Sequence, residues 1–228
     1  MNRQELKRMF EQDLISLEDY KEELFKLENQ PKQPRKPKRV YEGITEEEFI
    51  KLLKETRTGK HFLIYILAYG SGLRLSEIIG KKNPDGSWKI PPLQKDSFDF
   101  KTRRLFIHGK GSKDRIVNTP KWMKEKHLKL IPVQLKRRAA EAGFLRASMR
   151  AGINKVMGQY KTGSGKIMPL YRLKIHSLRR GYCLNLFKKN VPPNTIQALM
   201  GHENLATTSR YSHVPPQDAV QGAIDAGM

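Results

Sequence analysis

The chain has 228 residues, 38% of them hydrophobic, and carries 44 Lys and Arg against 23 Asp and Glu, a net charge of +21. This balance allows one core of ordinary size and points to a polyanionic partner, with DNA or RNA foremost and an acidic membrane surface or a ribosome also compatible. It lacks any run of 18 apolar residues to span a membrane, its single cysteine, Cys183, rules out an intrachain disulfide, and residues 1–20 lack the apolar core of a signal peptide. The expected location is therefore cytoplasmic and DNA-associated, and Cys183, in the run Gly-Tyr-Cys-Leu-Asn-Leu-Phe, reads as a small buried hydrophobe.

Charge divides the chain. Residues 1–30 hold five basic and eight acidic residues, leaving +24 for the rest. In this acidic stretch Leu6, Phe10, Leu14, Leu17, Leu24 and Leu27 recur at helical spacing, and Ser16 with Asp19 forms a capping box that splits it into two short helices. Residues 31–40 are basic, with three prolines in Pro31–Lys38, and read as an extended linker. A second domain is expected over 41–228. Thr45 with Glu48 opens a helix through about Glu55. His61–Ala68 is an apolar run, Gly70-Ser-Gly72 a turn, and Arg74-Leu-Ser-Glu-Ile-Ile the start of another helix. Residues 83–95 read as a loop. Arg104–His108 and Arg115–Asn118 read as two strands of a hairpin whose long tip is Gly109–Asp114. Residues 121–174 hold fourteen basic and two acidic residues, mostly in helical patterns, and suit a phosphate-facing surface. The expected class is mainly α with one small antiparallel sheet.

The chemistry-bearing residues are cations, imidazoles and a tyrosine. The basic part of the chain shows no convergent carboxylates for Mg²⁺ and no Cys/His set at zinc spacing, so neither metal nor cofactor is expected. Gly163-Ser-Gly-Lys166 lacks the remaining spacing of a phosphate loop. His61, His108, His127 and His213 read as ordinary surface or core residues, and Tyr182 as core. Gly72-Leu-Arg-Leu-Ser-Glu77 places Arg74 at a helix start. His176-Ser-Leu-Arg179 puts an imidazole and a guanidinium on one helical face. Leu199-Met-Gly-His202 ends a helix, and Thr207-Thr-Ser-Arg-Tyr211 follows nine residues on. These residue types suit attack on a phosphodiester without metal. Arginines hold the non-bridging oxygens bidentately, a base helps a tyrosine hydroxyl attack, and a lysine on a hairpin tip can protonate the leaving oxygen.

With these motifs in order, the chain from about 41 to 213 resembles the catalytic domain of the tyrosine recombinases, the family of phage integrases and Xer-type resolvases. The matching pieces are Gly72–Glu77, Gly109-Lys-Gly-Ser-Lys-Asp-Arg115, His176-x-x-Arg179 and Ala198–His213. The resemblance implies that Arg74 and Arg179 clamp the scissile phosphate and that His202 hydrogen-bonds it. It implies that His176 takes the proton from Tyr211, that Lys110 protonates the departing 5′-oxygen, and that Tyr211 forms a 3′-phosphotyrosyl bond. Lys113 is the rival for the lysine role, and Glu77 is expected to support the Arg74 helix. Two positions depart from the family: Ser177 stands where relatives often have Asp, and Arg180 where they often have His. The implied function is site-specific recombination of double-stranded DNA by a homo-oligomer, a tetramer on DNA. Integration and excision of a viral or mobile element comes first and Xer-like resolution of multimers second. A type IB topoisomerase and a non-catalytic DNA-binding regulator of the same fold are the rivals. Relatives carry a core-binding domain before the catalytic one. Here about forty residues precede Tyr41, so a minimal or truncated member, or an accessory protein that completes the clamp, is expected.

Overall fold

The computed structural model describes residues 3–29, 42–108, 114–163 and 165–201. The chain forms two compact units, Met1–Val40 and Tyr41–Met228. In the first, α1 (Arg3–Glu11) and α2 (Leu17–Asn29) pack on each other. The Ser16 hydroxyl accepts the Asp19 amide at 3.1 Å and donates to its carboxylate at 2.6 Å, which separates the two helices. Leu6 is buried and Phe10 stacks on Tyr20 at 4.7 Å, whereas Leu14 and Leu17 of the apolar stripe are exposed, as is Phe25.

The second unit is built on α4 (Gly59–Gly70), whose residues Leu63–Tyr69 are all buried. A helix apolar all round must be enclosed, and α4 is surrounded by α5 (Leu75–Ile79), α6 (Arg137–Arg150) and α7 (His176–Lys188). Ahead of it, α3 (Glu46–Lys54) begins with the expected capping box: the Thr45 hydroxyl accepts the Glu48 amide at 3.2 Å and the Glu48 carboxylate accepts the Thr45 amide at 3.1 Å. Phe49 of α3 stacks on Tyr69 of α4 at 3.9 Å. The close passage of α7 depends on Gly181, where a Cβ would stand 2.4 Å from the Ile44 carbonyl oxygen and 2.8 Å from the Tyr69 ring. Last among the described elements is α8 (Pro193–Met200), which packs on α7 and on β5.

The fold is mainly α, but the described residues hold three small antiparallel sheets where one was expected. β1 (Lys81–Lys82) pairs with β2 (Trp88–Ile90), the second strand lying inside the stretch 83–95 read as a loop, because Asn83-Pro-Asp-Gly86 makes a tight turn that folds the two flanks together. β3 (Phe98–Asp99), β4 (Arg104–Ile107) and β5 (Arg115–Asn118) form the expected hairpin plus one short strand. The larger correction lies in 121–174, read as mostly helical. A 3-10 turn (Glu125–Leu130) and α6 occupy its first half, but β6 (Val156–Lys161) and β7 (Ile167–Tyr171) form a hairpin in the second. Gly152, Gly158, Gly163, Gly165 and Pro169 oppose a helix there, and they outweigh the charge pattern. Among the described residues no helix is long and apolar enough to cross a membrane.

Candidate active site

Arg74 is the N-cap of α5, in extended conformation. Its backbone amide donates to Glu77 Oε2 at 2.7 Å and its Nη1 to Glu77 Oε1 at 2.9 Å. Glu77 is buried and accepts two further, parallel bonds from Arg115 at the start of β5, Nη1 to Oε1 at 2.9 Å and Nη2 to Oε2 at 3.0 Å. Arg179 Nη1 stands 4.0 Å from the same carboxylate. Burial pushes the Glu77 pKa up. The hydrogen bonds and charge of Arg115, the charge of Arg179 and the Arg74 amide outweigh it and hold the carboxyl at about 2. One carboxylate thus compensates part of the charge of three guanidiniums.

The carboxyl end of α8 compensates more of it. The last carbonyls of a helix have no partner within the helix and sit at the negative end of its dipole. Here three in a row accept from three different arginines: Leu199 from Arg115 Nε at 2.9 Å, Met200 from Arg179 Nη2, and Gly201 from Arg74 Nη2 at 2.8 Å. Gly201 holds the left-handed conformation (φ 58°) that turns its carbonyl toward Arg74, and a Cβ there would meet the Arg115 guanidinium at 3.1 Å. Gly72 has the same requirement. Its φ is 66°, a Cβ would lie 2.4 Å from the Tyr182 ring, and its carbonyl accepts from Arg179 Nη1. The second arginine, 1% exposed, is therefore fixed between the turn after α4 and the end of α8.

His176 is the first residue of α7, one turn before Arg179. Arg74, Arg137, His176 and Arg179 line one cleft of about 200 Å³, with Ile64 and Ala68 of α4 in its wall. His176 is solvent-exposed as a residue. Partial withdrawal of its ring from water, together with the charges of Arg179, Arg180, Arg74 and Arg137, lowers its pKa to about 4. The imidazole is thus neutral at pH 7, and a bound anion that offsets the guanidinium charge makes it a stronger base.

Of the six residues singled out by sequence, three are brought together here: Arg74, His176 and Arg179. Lys110, His202 and Tyr211 lie outside the described residues, as does Lys113. In sequence His202 directly follows Gly201, and Lys110 precedes Arg115 by five residues. Sequence reading missed Arg115 and Arg137 as site residues. Arg115 was visible only as the end of the hairpin motif, and its partners lie 38 and 84 residues away. Arg137 begins α6 within a run of basic residues that all look alike in sequence. His61 is satisfied as expected, with Nδ1 at 2.6 Å from the Thr58 hydroxyl and Nε2 at 3.2 Å from the Ala139 carbonyl. Tyr182 and Cys183 are buried, and Tyr182 donates to Asn118 Oδ1 at 2.7 Å.

Residues 42–218 match the model of the phage integrase family. Among curated proteins, the tyrosine recombinase XerA of Thermococcus kodakarensis is 29% identical over 197 residues, which cover 80% of this chain and 62% of that protein. The chain therefore spans under two thirds of the length of this relative. Among solved structures, the XerH site-specific recombinase bound to a palindromic difH substrate superposes with a TM-score of 0.57 at 19% identity, covering 86% of this chain and 57% of that one. The catalytic domain of bacteriophage HP1 integrase superposes with a TM-score of 0.51 at 19% identity, covering 82% and 95%.

Proposed function

Since this chain belongs to the phage integrase family of tyrosine recombinases, we propose that it cuts and rejoins double-stranded DNA at specific sites through a 3′-phosphotyrosyl intermediate. The observation that carries this reading is the convergence of Arg74, Arg179 and His176 on one cleft, with the end of α8 held against them where the sequence continues to His202 and Tyr211. Arg74 and Arg179 hold the non-bridging oxygens of the scissile phosphate, and Glu77 with the α8 carbonyls fixes their planes beforehand. The phosphate offsets the positive field around His176, which then accepts the Tyr211 proton. Tyr211 attacks phosphorus, the 5′-oxygen leaves with a proton from Lys110, and His202 donates to the phosphate. The phosphotyrosyl bond keeps the energy of the broken ester, so a 5′-hydroxyl reverses the step without ATP.

The biological role we infer first is integration and excision of a viral or mobile element. Xer-like multimer resolution is the second reading, favoured by the similarity to XerA. Either role needs several copies on DNA, a tetramer in our reading, because two duplexes are cut and exchanged. An accessory protein is a candidate to complete the grip on the duplex. The decisive experiment uses a nicked duplex carrying the chain's recognition sequence, which traps cleaved product. Wild type forms a covalent protein–DNA adduct, and Tyr211→Phe binds the same duplex but forms none. An adduct with Tyr211→Phe would move the nucleophile elsewhere.

A further inference from the structure

The β6–β7 hairpin has no part in the mechanism above, yet it is built as an arm. All six residues of β6 are exposed. Val156, Met157, Tyr160 and Ile167 are large apolar side chains left in water, at 51%, 54%, 39% and 64% exposure. A two-stranded ribbon of this kind is marginal by itself, so its base must hold it, and it does. The Asn154 side chain donates from Nδ2 to the Leu173 carbonyl at 3.1 Å and to the Ser148 hydroxyl at 3.0 Å, and accepts from the Leu173 amide at 2.9 Å. Arg172 ties the second strand to the Ile153 carbonyl and to Glu42 and Glu48. Beyond this clamp the tip closes on bonds from Thr162 N to Lys166 O and from Gly165 N to Thr162 O. After the second strand ends at Tyr171 the chain runs through Ile175 into His176, both of which line the cleft of Arg74 and Arg179.

Three observations decide what such an arm meets. Residues 151–175 contain five Lys and Arg and no acid, so the arm's complement is an anion. Its outer edges resist pairing with another strand: β6 carries an irregularity between Val156 and Gly158, and β7 carries Pro169. Its size matches a groove, because a two-stranded ribbon fits the roughly 12 Å width of a B-DNA major groove. The register places Tyr160 opposite Met168 and Gly158 opposite Leu170 on one face, and Lys161 opposite Ile167 on the other. Lys161 and Lys166 stand near the tip to meet backbone phosphates, and the exposed Tyr160, on the face shared with Met168, is set to meet base edges.

We propose that the β6–β7 hairpin is a DNA-reading arm that enters the major groove of the duplex flanking the scissile phosphate and sets part of the chain's sequence preference. The proposal rests on the strand-transfer reading for the position of the duplex. The cationic side chains contact phosphate, and Tyr160, with Met168 beside it on the same face, contacts thymine methyls and base edges. The two contributions separate by experiment. The full chain is used to enrich binders from a pool of 40-base-pair duplexes with a randomised centre, and its affinity for the enriched duplex is measured from 50 to 200 mM salt. Lys161→Ala/Lys166→Ala is expected to keep the enriched sequence and lower the slope of log K against log salt by about 2, one phosphate per lysine. Tyr160→Ser is expected to keep that slope, lose the preference at the base pairs it meets in the enriched sequence and bind the wild-type duplex about tenfold more weakly. These side chains are exposed, so both variants retain the wild-type melting temperature. If both keep the wild-type slope and enrich the wild-type sequence, the arm does not touch DNA, even where the wild type forms its covalent adduct. If the wild type forms no adduct while both variants change binding as described, the strand-transfer reading falls and the arm stands.

Discussion

At the residue scale the site turns on Glu77, whose carboxylate takes hydrogen bonds from Arg74 and Arg115 and faces Arg179 across 4.0 Å. Glu77→Gln keeps the shape and removes the charge, leaving a buried cluster of guanidiniums without its counter-charge. The expected cost is on the order of 3 kcal/mol at pH 7, read as a fall in melting temperature. Because the folded pKa is held at about 2 against 4.5 for the free side chain, Glu77 contributes stability above pH 4.5 that is lost as pH falls toward 2. The variant should therefore lose less stability than wild type across that window. An equal loss would mean that Glu77 is not the ionised hub of the cluster. Lys110 allows a test of chemistry at the same scale. Lys110→Ala should cleave an ordinary phosphodiester slowly and recover on a 5′-bridging phosphorothiolate, whose sulfur leaves without a proton. Recovery by Lys113→Ala in its place would reassign the general acid.

Elements set the distances between these residues. Arg74 and His176 share a cleft because α4 and α7 approach closely, and they can do so because Gly181 presents no side chain to the Tyr69 ring of α4 or to the neighbouring Ile44 carbonyl. Gly181→Ala puts a methyl group against backbone, which cannot swing aside as a side-chain end can. We expect a loss of about 1–3 kcal/mol in unfolding measurements, with slower cleavage as α7 shifts His176 and Arg179 away from Arg74. Unchanged stability would show that the helices have slack at this crossing. The end of α8 acts at the same level. Its three capped carbonyls bind β5, α7 and the Arg74 turn together, so a shift of any one of them moves Arg74, Arg115 and Arg179 relative to one another.

For the whole molecule, the division of charge matters most: −3 over residues 1–30 and +24 beyond. The basic part suits DNA, and the acidic helical pair does not. Its exposed Leu14, Leu17 and Phe25 suit a protein surface instead. The expected outcome is that a chain lacking residues 1–30 still binds a site-bearing duplex as a monomer but assembles less on it, as read by light scattering with and without DNA. Assembly and recombination equal to those of the full chain would remove the segment from any role in coupling copies.

The amino-acid sequence by itself determined what is local or carried in a contiguous motif. The Thr45–Glu48 capping box, the enclosed apolar run of α4, the turn at Gly72 and the spacing of His176 and Arg179 each depend on residues within a few positions of one another, where backbone geometry fixes the result. The mainly α class and the family resemblance followed from the same short motifs. Tertiary structure alone decided how the arginines are held. Arg115 finds Glu77 across 38 residues and Leu199 across 84, and no periodicity encodes a contact that exists only after helices and strands have packed. It also decided the β6–β7 hairpin. The basic run through 121–174 reads as helix by its charge pattern, but glycines, Pro169 and the Asn154 clamp between two distant backbone segments select a ribbon. A local pattern ranks the conformations of one segment, whereas the final choice depends on partners that the fold brings from elsewhere in the chain.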